Sequence, residues 1–373
     1  MMENRTVAKR ETSLDLLRIL SMVMIVTMHI IGNGGLLAAC EGGLNTAGIG
    51  LNLLNAICIV SVNCFVLISG YFLCESKFKL SRLIKLWVKV FVISAGIAMF
   101  FKLTGIVKES GADILKDFLP ISYNRYWFMT KYFAMYLCAP MLNLLIAKAD
   151  KKKHGAFIVM LVLLMSVWDD ITPLVDAFGT NNGYSFGWFI TLYLIAAYIR
   201  KYVSNDKVKK PALWYVGGVL FVFVFWIIIT FIEGSHPSLE KYISARYFYG
   251  YNSLPILIAA VGLFLAFRKM QIKSKALIKI TELAAPRTFG VYLIHAPLTM
   301  DVFLYQIVFP YASVTALTAF CAVGEAVVIF IGCALVDFVI SWLIDLIVLK
   351  RDWFGKLMSK LDSKVAFLSE GRD

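Results

Sequence analysis

Three ionisable side chains inside one apolar stretch have the spacing to act together. Asp15, Arg18 and His29 interrupt a run made mainly of Leu, Ile, Val and Met. Arg18 and His29 are 11 residues apart, which returns them to within about 20° of one helix face and about 16 Å apart along the axis. Asp15 lies three residues before Arg18, the interval of a helical ion pair. One stripe therefore runs Asp15, Arg18, Met22, Ile25, His29. A guanidinium here can grip an anionic group such as phosphate. A neutral imidazole can take a proton from a hydroxyl, a general-base role typically giving about 10²–10⁴-fold, or accept a group covalently. The same residues also fit an interfacial ion pair and a packing histidine. A charge placed in a membrane span costs about 2.5–3.5 kcal/mol, so such residues are functional candidates by default.

Further candidates follow along the chain. Asn63 and Ser69 precede Gly70-Tyr71 and can glue helices together or line a site. Lys77, Lys79, Arg82, Lys85 and Lys89 form a basic cluster in which Arg82 and Lys85 share a helix face, suited either to a phosphate clamp or to an ordinary flank of positive charge. Trp127-Phe128, with Tyr132, Tyr136 and Pro140 beyond, reads as an aromatic belt or a stacking wall for a sugar. His295 follows Tyr292-Leu293-Ile294, with Glu325 beyond; it is a second intramembrane hydrogen-bonding group or a packing residue. Asp169-Asp170 reads as a solvated helix end. His154 and His236 fall in loops and receive no role.

The elements that must carry these residues are apolar helices. Of 373 residues 60% are apolar or aromatic and 16% charged, against about 25% charged in soluble domains. Disorder, a disulfide scaffold and an ordinary soluble enzyme are excluded. The apolar residues come in blocks of about 20, enough to cross about 30 Å of hydrocarbon. Their continuity excludes strands. Ten helices are expected, near 14–33, 51–73, 84–103, 127–147, 155–173, 184–200, 213–232, 247–267, 288–308 and 313–347, the last with a kink or an interfacial helix around Asp337 to Lys350. The expected organisation is a cytosolic arm over 1–13, a transmembrane domain over 14–349 and a cytosolic tail over 350–373. The net charge of +13 sits in short clusters between blocks, which argues against nucleic acid. Counted on alternate sides, 28 Lys and Arg fall on one and 6 on the other, placing both termini in the cytosol. The first block lacks a cleavage signature and reads as a retained span. Seven scattered Cys without a C-x-x-C pair point to no metal site.

Four stretches resemble the acyltransferase 3 family of integral-membrane acyltransferases. Leu14-Asp15-Leu16-Leu17-Arg18 followed by His29 resembles its opening motif, Phe65 with Ser69-Gly70-Tyr71 its second-helix motif, Trp127-Phe128 with Tyr136 and Pro140 a third, and Tyr292-Leu293-Ile294-His295 one near the last spans. They stand in family order. Two positions depart from it: Leu16 replaces a common Gly, and Lys85 replaces an Arg in the basic pair with Arg82. The C-terminal esterase-like domain of some members is not expected, as only 23 residues follow Lys350. The resemblance implies transfer of an acyl group, most often acetyl from acetyl-CoA, to a hydroxyl of a cell-surface glycan or its lipid-linked precursor in a bacterial plasma membrane. It implies His29 as base or acyl relay, Asp15 orienting Arg18, and Arg18, Arg82 and Lys85 holding acyl-CoA. Asn63, Ser69, Trp127, Tyr136 and His295 would line or support the site. A glycan transporter or flippase also fits ten spans with intramembrane charge, although its paired broken helices are not evident.

Overall fold

The computed structural model describes residues 11–40, 44–108, 110–172, 175–236, 238, 243–311 and 313–369; among these it is helical, with no strand. The expected arm falls mostly on residues 1–10, outside the described residues. In chain order the helices are α1 (Thr12–Gly32), α2 (Thr46–Cys58), α3 (Ser61–Leu73), α4 (Leu80–Thr104), α5 (Gly111–Asp117), α6 (Trp127–Lys148) and α7 (Lys151–Ile171). There follow α8 (Phe186–Tyr202), α9 (Ala212–Ser235), α10 (Leu254–Lys269), α11 (Lys275–His295), α12 (Leu298–Val308), α13 (Thr318–Leu349) and α14 (Asp352–Lys364). Small polar residues start several of them by accepting from the first-turn amides, as the N-cap position requires. Asn45 accepts from Gly48 N at 2.7 Å, Asp150 from Lys153 N at 2.8 Å and Ser185 from Trp188 N at 3.2 Å.

Among the described residues seven stretches are long and apolar enough to cross a membrane: α1, the pair α2–α3, α4, α6, α7, α9 and α13. α11 and α12 supply an eighth as a pair bent by 85°. The chain is an all-α, multi-pass membrane protein. Each of the ten expected blocks contains helix, but their reach differs. α8 and α10, at 17 and 16 residues, rise only about 24–26 Å, less than the hydrocarbon thickness of about 30 Å. Both are packed inside the bundle, with Trp188, Phe189, Leu192 and Tyr193 of α8 fully buried. By contrast α9 and α13 turn Leu220, Phe221, Phe231, Leu335 and Phe338 outward, faces that only lipid would solvate favourably.

α1 is the hub, packed against α2, α3, α10, α11 and α13. α3 meets α8 at Gly70, where an added Cβ would lie 3.0 Å from the Tyr193 Cα. Ala296-Pro297 separates α11 from α12: Ala296 keeps helical dihedrals, and Pro297, which lacks the amide needed to continue the turn, takes an extended ψ of 146°. The bend carries α12 away from the α11 axis and leaves His295 at the end of α11.

Four sequence expectations need correction. Asp169 and Asp170 are not a solvated end: Asp169 accepts from Asn252 Nδ2 at 2.7 Å and from the Thr180 hydroxyl, and Asp170 from Leu254 N at 2.8 Å, capping α10. His154 is not in a loop but fully buried in α7, its Nε2 3.0 Å from Leu194 O. The last block, expected to kink or turn interfacial around Asp337 to Lys350, continues as one stretch to Leu349 and departs from α-helix in a π-helical turn at Asp345–Leu349, so no separate interfacial helix forms there. The amphipathic helix comes later, as α14 inside the expected tail. It buries Phe354 and Met358, exposes Trp353 and Leu357, and joins α4 through Asp362, which accepts from Ser81 N at 2.8 Å and Ser81 Oγ at 2.6 Å.

Candidate active site

A cavity of about 830 Å³ runs beside α1, and Arg18, Met22, Ile25, His29 and Asn33 line it as one continuous stripe. From Arg18 to Asn33 is 15 residues, about 22 Å along the helix. The far walls come from Phe65 and Ser69 of α3, Trp127, Phe128 and Tyr132 of α6, Phe289 and Tyr292 of α11, and Asp301 of α12. The stripe read from sequence is thus the cavity wall, and its i, i+4, i+7, i+11 spacing is what places it there.

At one end Arg18 Nη1 donates to Asp15 Oδ1 at 2.6 Å. Asp15 is buried, while the Arg18 side chain keeps 30% exposure toward the cavity. The ion pair orients the guanidinium, and the Phe72 ring 5.4 Å from its Cζ supports its face. Arg82 does not line the cavity but lies within electrostatic reach of Tyr132 and Tyr136 at the same end. Lys85 is elsewhere: with Lys79, Ser81 and Asp362 it lines a separate hollow between α4 and α14. Arg82, one turn before Lys85 on α4, lines neither this hollow nor the cavity.

His29 is partly buried and lines the cavity one turn before Asn33. Its ring rests on that of His295, with centroids 4.9 Å apart and planes at 43°. His295 is fully buried, and its Nδ1 is 2.6 Å from the Val291 carbonyl. A carbonyl only accepts, so that nitrogen carries the proton and Nε2 keeps a free lone pair. His295 Nε2 and His29 Nδ1 are both buried without a partner. Two orphaned imidazole nitrogens side by side are costly unless used.

Of the other expected residues, Trp127 and Ser69 line the cavity. Ser69 Oγ donates to Phe65 O at 2.9 Å, and Trp127 packs on Tyr184 and, nearly parallel at 6.0 Å, on Tyr251. Asn63 and Tyr136 do not line it. Asn63 is fully buried, donating to Tyr251 O at 2.7 Å and accepting from Trp188 Nε1 at 3.0 Å. It fixes the aromatic wall by tying α3, α8 and the 251 turn together. Tyr136 donates to Lys79 O at 3.0 Å and holds the chain entering α4.

Three features were missed. Asn33 lies one turn beyond His29 on the same stripe, which the spacing could have revealed. Asp301 donates nothing and accepts from Asn33 Nδ2 at 2.9 Å; only the Ala296-Pro297 break hints that it returns to α1. Asp337 of α13 is fully buried, 2.6 Å from Lys89 Nζ and 3.5 Å from Arg287 Nη1. Its carboxylate lies over Gly290, where an added Cβ would collide with Oδ1. This pairing pins the middle of α11, whose Ala285, Pro286, Thr288 and Phe289 line the cavity. Among the described residues no three His, Cys, Asp or Glu are grouped to hold a metal.

A family model described as an acyltransferase domain matches residues 11–345. Neither a curated protein nor a solved structure matches the chain.

Proposed function

The chain belongs to the acyltransferase 3 family, whose domain covers all but its ends, and on that premise we propose that this membrane acyltransferase moves an acyl group, acetyl foremost, from acyl-CoA to a hydroxyl of a cell-surface glycan or its lipid-linked precursor. The observation that carries the reading is the single cavity in which Arg18 and His29 stand on one stripe of α1. Arg18, oriented by Asp15 and aided by Arg82, holds the phosphates of the donor. Lys85 adds positive charge to the same face without reaching the cavity. The excess of basic residues at that end supports a cytosolic location for it, in a bacterial plasma membrane.

His29 takes the proton of the acceptor hydroxyl as its oxygen attacks the thioester carbonyl. A C–O bond forms and the C–S bond breaks. CoA departs as a thiolate and recovers the proton from the imidazolium. His295 supports this assignment, since its ring lies 4.9 Å from that of His29 and its Nε2 is an acceptor, the kind of group that fixes which nitrogen of a neighbouring imidazole keeps its proton. The test is mass spectrometry of surface polysaccharide from cells with and without the protein. Loss of an acetyl-sized mass increment in its absence supports the reading; identical glycan masses contradict it.

A further inference from the structure

We propose that Asn33 and Asp301 form an acceptor subsite for adjacent hydroxyls on a saturated ring, the chemistry of a pyranose, seated one turn beyond His29. The proposal rests on the acyl-transfer reading for its purpose but not for its geometry. Asn33 is four residues after His29, about 6 Å along α1 and about 40° around it, and both line the cavity with Asp301. The 85° bend after His295 turns α12 so that Asp301 meets Asn33. The break thus sets His295 beside His29, and Asp301 beside the next turn.

The hydrogen bonding at this place is incomplete. Asp301 Oδ2 accepts from Asn33, but Oδ1 is buried with no partner. Tyr305, one turn further along α12, is 5% exposed; its hydroxyl also lacks a partner and lies within electrostatic reach of Asp301. A carboxylate only accepts and a phenol both donates and accepts. Asp301 lines the cavity and Tyr305 stands behind it; buried groups of this kind are satisfied in working proteins, so the Asp301 carboxylate calls for a ligand that brings a donor. The Asn33 amide offers an acceptor oxygen and a further donor beside them. A vicinal diol supplies what is missing: one hydroxyl donates to Asp301 while its neighbour bonds to Asn33.

The rest of the chamber fits such a ring. Trp127, Tyr184 and Tyr251 line the cavity as a packed aromatic group, a surface that takes the C–H face of a sugar. An ammonium ligand would also donate to Asp301, and it would leave the Asn33 amide nitrogen without an acceptor of its own, which a diol supplies. A neutral polyol bound here presents its next hydroxyl along the stripe toward His29.

The test uses the full chain in lipid nanodiscs and saturation-transfer NMR with methyl gluco-, galacto- and mannopyranosides. 2-Methoxytetrahydropyran, which lacks ring hydroxyls, and cyclohexylammonium serve as controls. The expectation is transfer to at least one glycoside and to neither control. Asp301→Asn, which keeps shape and removes the charge, weakens that glycoside about tenfold or more, since hydrogen bonds to charged groups are the stronger kind. Asn33→Ala, at an exposed position that does not threaten folding, weakens it in the same direction. Saturation of no glycoside, equal affinity in both variants, or preference for cyclohexylammonium overturns the subsite. Because binding is read without turnover, failure of acyl transfer is seen separately: glycoside binding lost in Asp301→Asn while His29→Ala still modifies glycan would keep the subsite and remove the catalytic reading.

Discussion

Replacing Lys89 by Met should destabilise the bundle through Asp337 and not through Lys89 itself. Asp337 has no exposed surface, and its Oδ1 is 2.6 Å from Lys89 Nζ. Without that ammonium the carboxylate keeps only Arg287, at 3.5 Å from Oδ2, and a long 3.4 Å bond from Ser341 Oγ. Breaking one partner of a buried ion pair costs about 3–5 kcal/mol, because a charge is left uncompensated. Arg287 remains, so the lower figure applies, about 3 kcal/mol. Asp337→Asn removes the charge from the same pocket and keeps the side-chain shape that Gly290 accommodates. The double variant Lys89→Met/Asp337→Asn should therefore recover most of the loss, ending within about 1 kcal/mol of the parent. Denaturant titration in micelles, followed by tryptophan fluorescence, measures all three variants. A loss below about 0.5 kcal/mol for Lys89→Met, or a double variant no better than the single one, refutes the reasoning.

Other outcomes follow from the same geometry. Asn63→Leu leaves Trp188 Nε1 and the Tyr251 carbonyl unpaired in a fully buried place; it should cost about 2–3 kcal/mol in the same titration. Gly70→Val should cost about 1–3 kcal/mol by overpacking, since even one added Cβ would approach Tyr193 Cα at 3.0 Å. Arg18→Ala should weaken acetyl-CoA binding about tenfold or more in equilibrium dialysis, and Arg18→Lys should recover only part of it, because a point charge replaces a fork. Unchanged dialysis constants in both would place the donor elsewhere.

Much of the site was legible because it lies on one helix. A stripe at helical spacing needs no tertiary knowledge, and the structure lines a cavity with it from Arg18 to Asn33. The apolar blocks were legible because hydrocarbon thickness dictates their length. What was hidden depends on partners distant in sequence. Asp169 and Asp170 look like a polar helix end until the turn at 252–254 comes back to them. Lys89 looks like flanking charge until Asp337, some 250 residues away in sequence, takes it up. Arg82 and Lys85 share a nominal helix face, yet Lys85 borders a hollow shared with α14, and nothing near residue 85 announces that helix. Periodicity gives the direction of a side chain on its own helix; it does not give what the next helix brings to it.

The central claim is that the His29 imidazole moves the acyl group while the rest of α1 holds the donor. The direct measurement compares purified parent protein and His29→Gln in nanodiscs, using radiolabelled acetyl-CoA both for dialysis and for transfer to the glycan of the expressing cell. Retained acetyl-CoA binding with transfer lowered at least about 10²-fold is the expected result. Transfer by His29→Gln at the parent rate would contradict it.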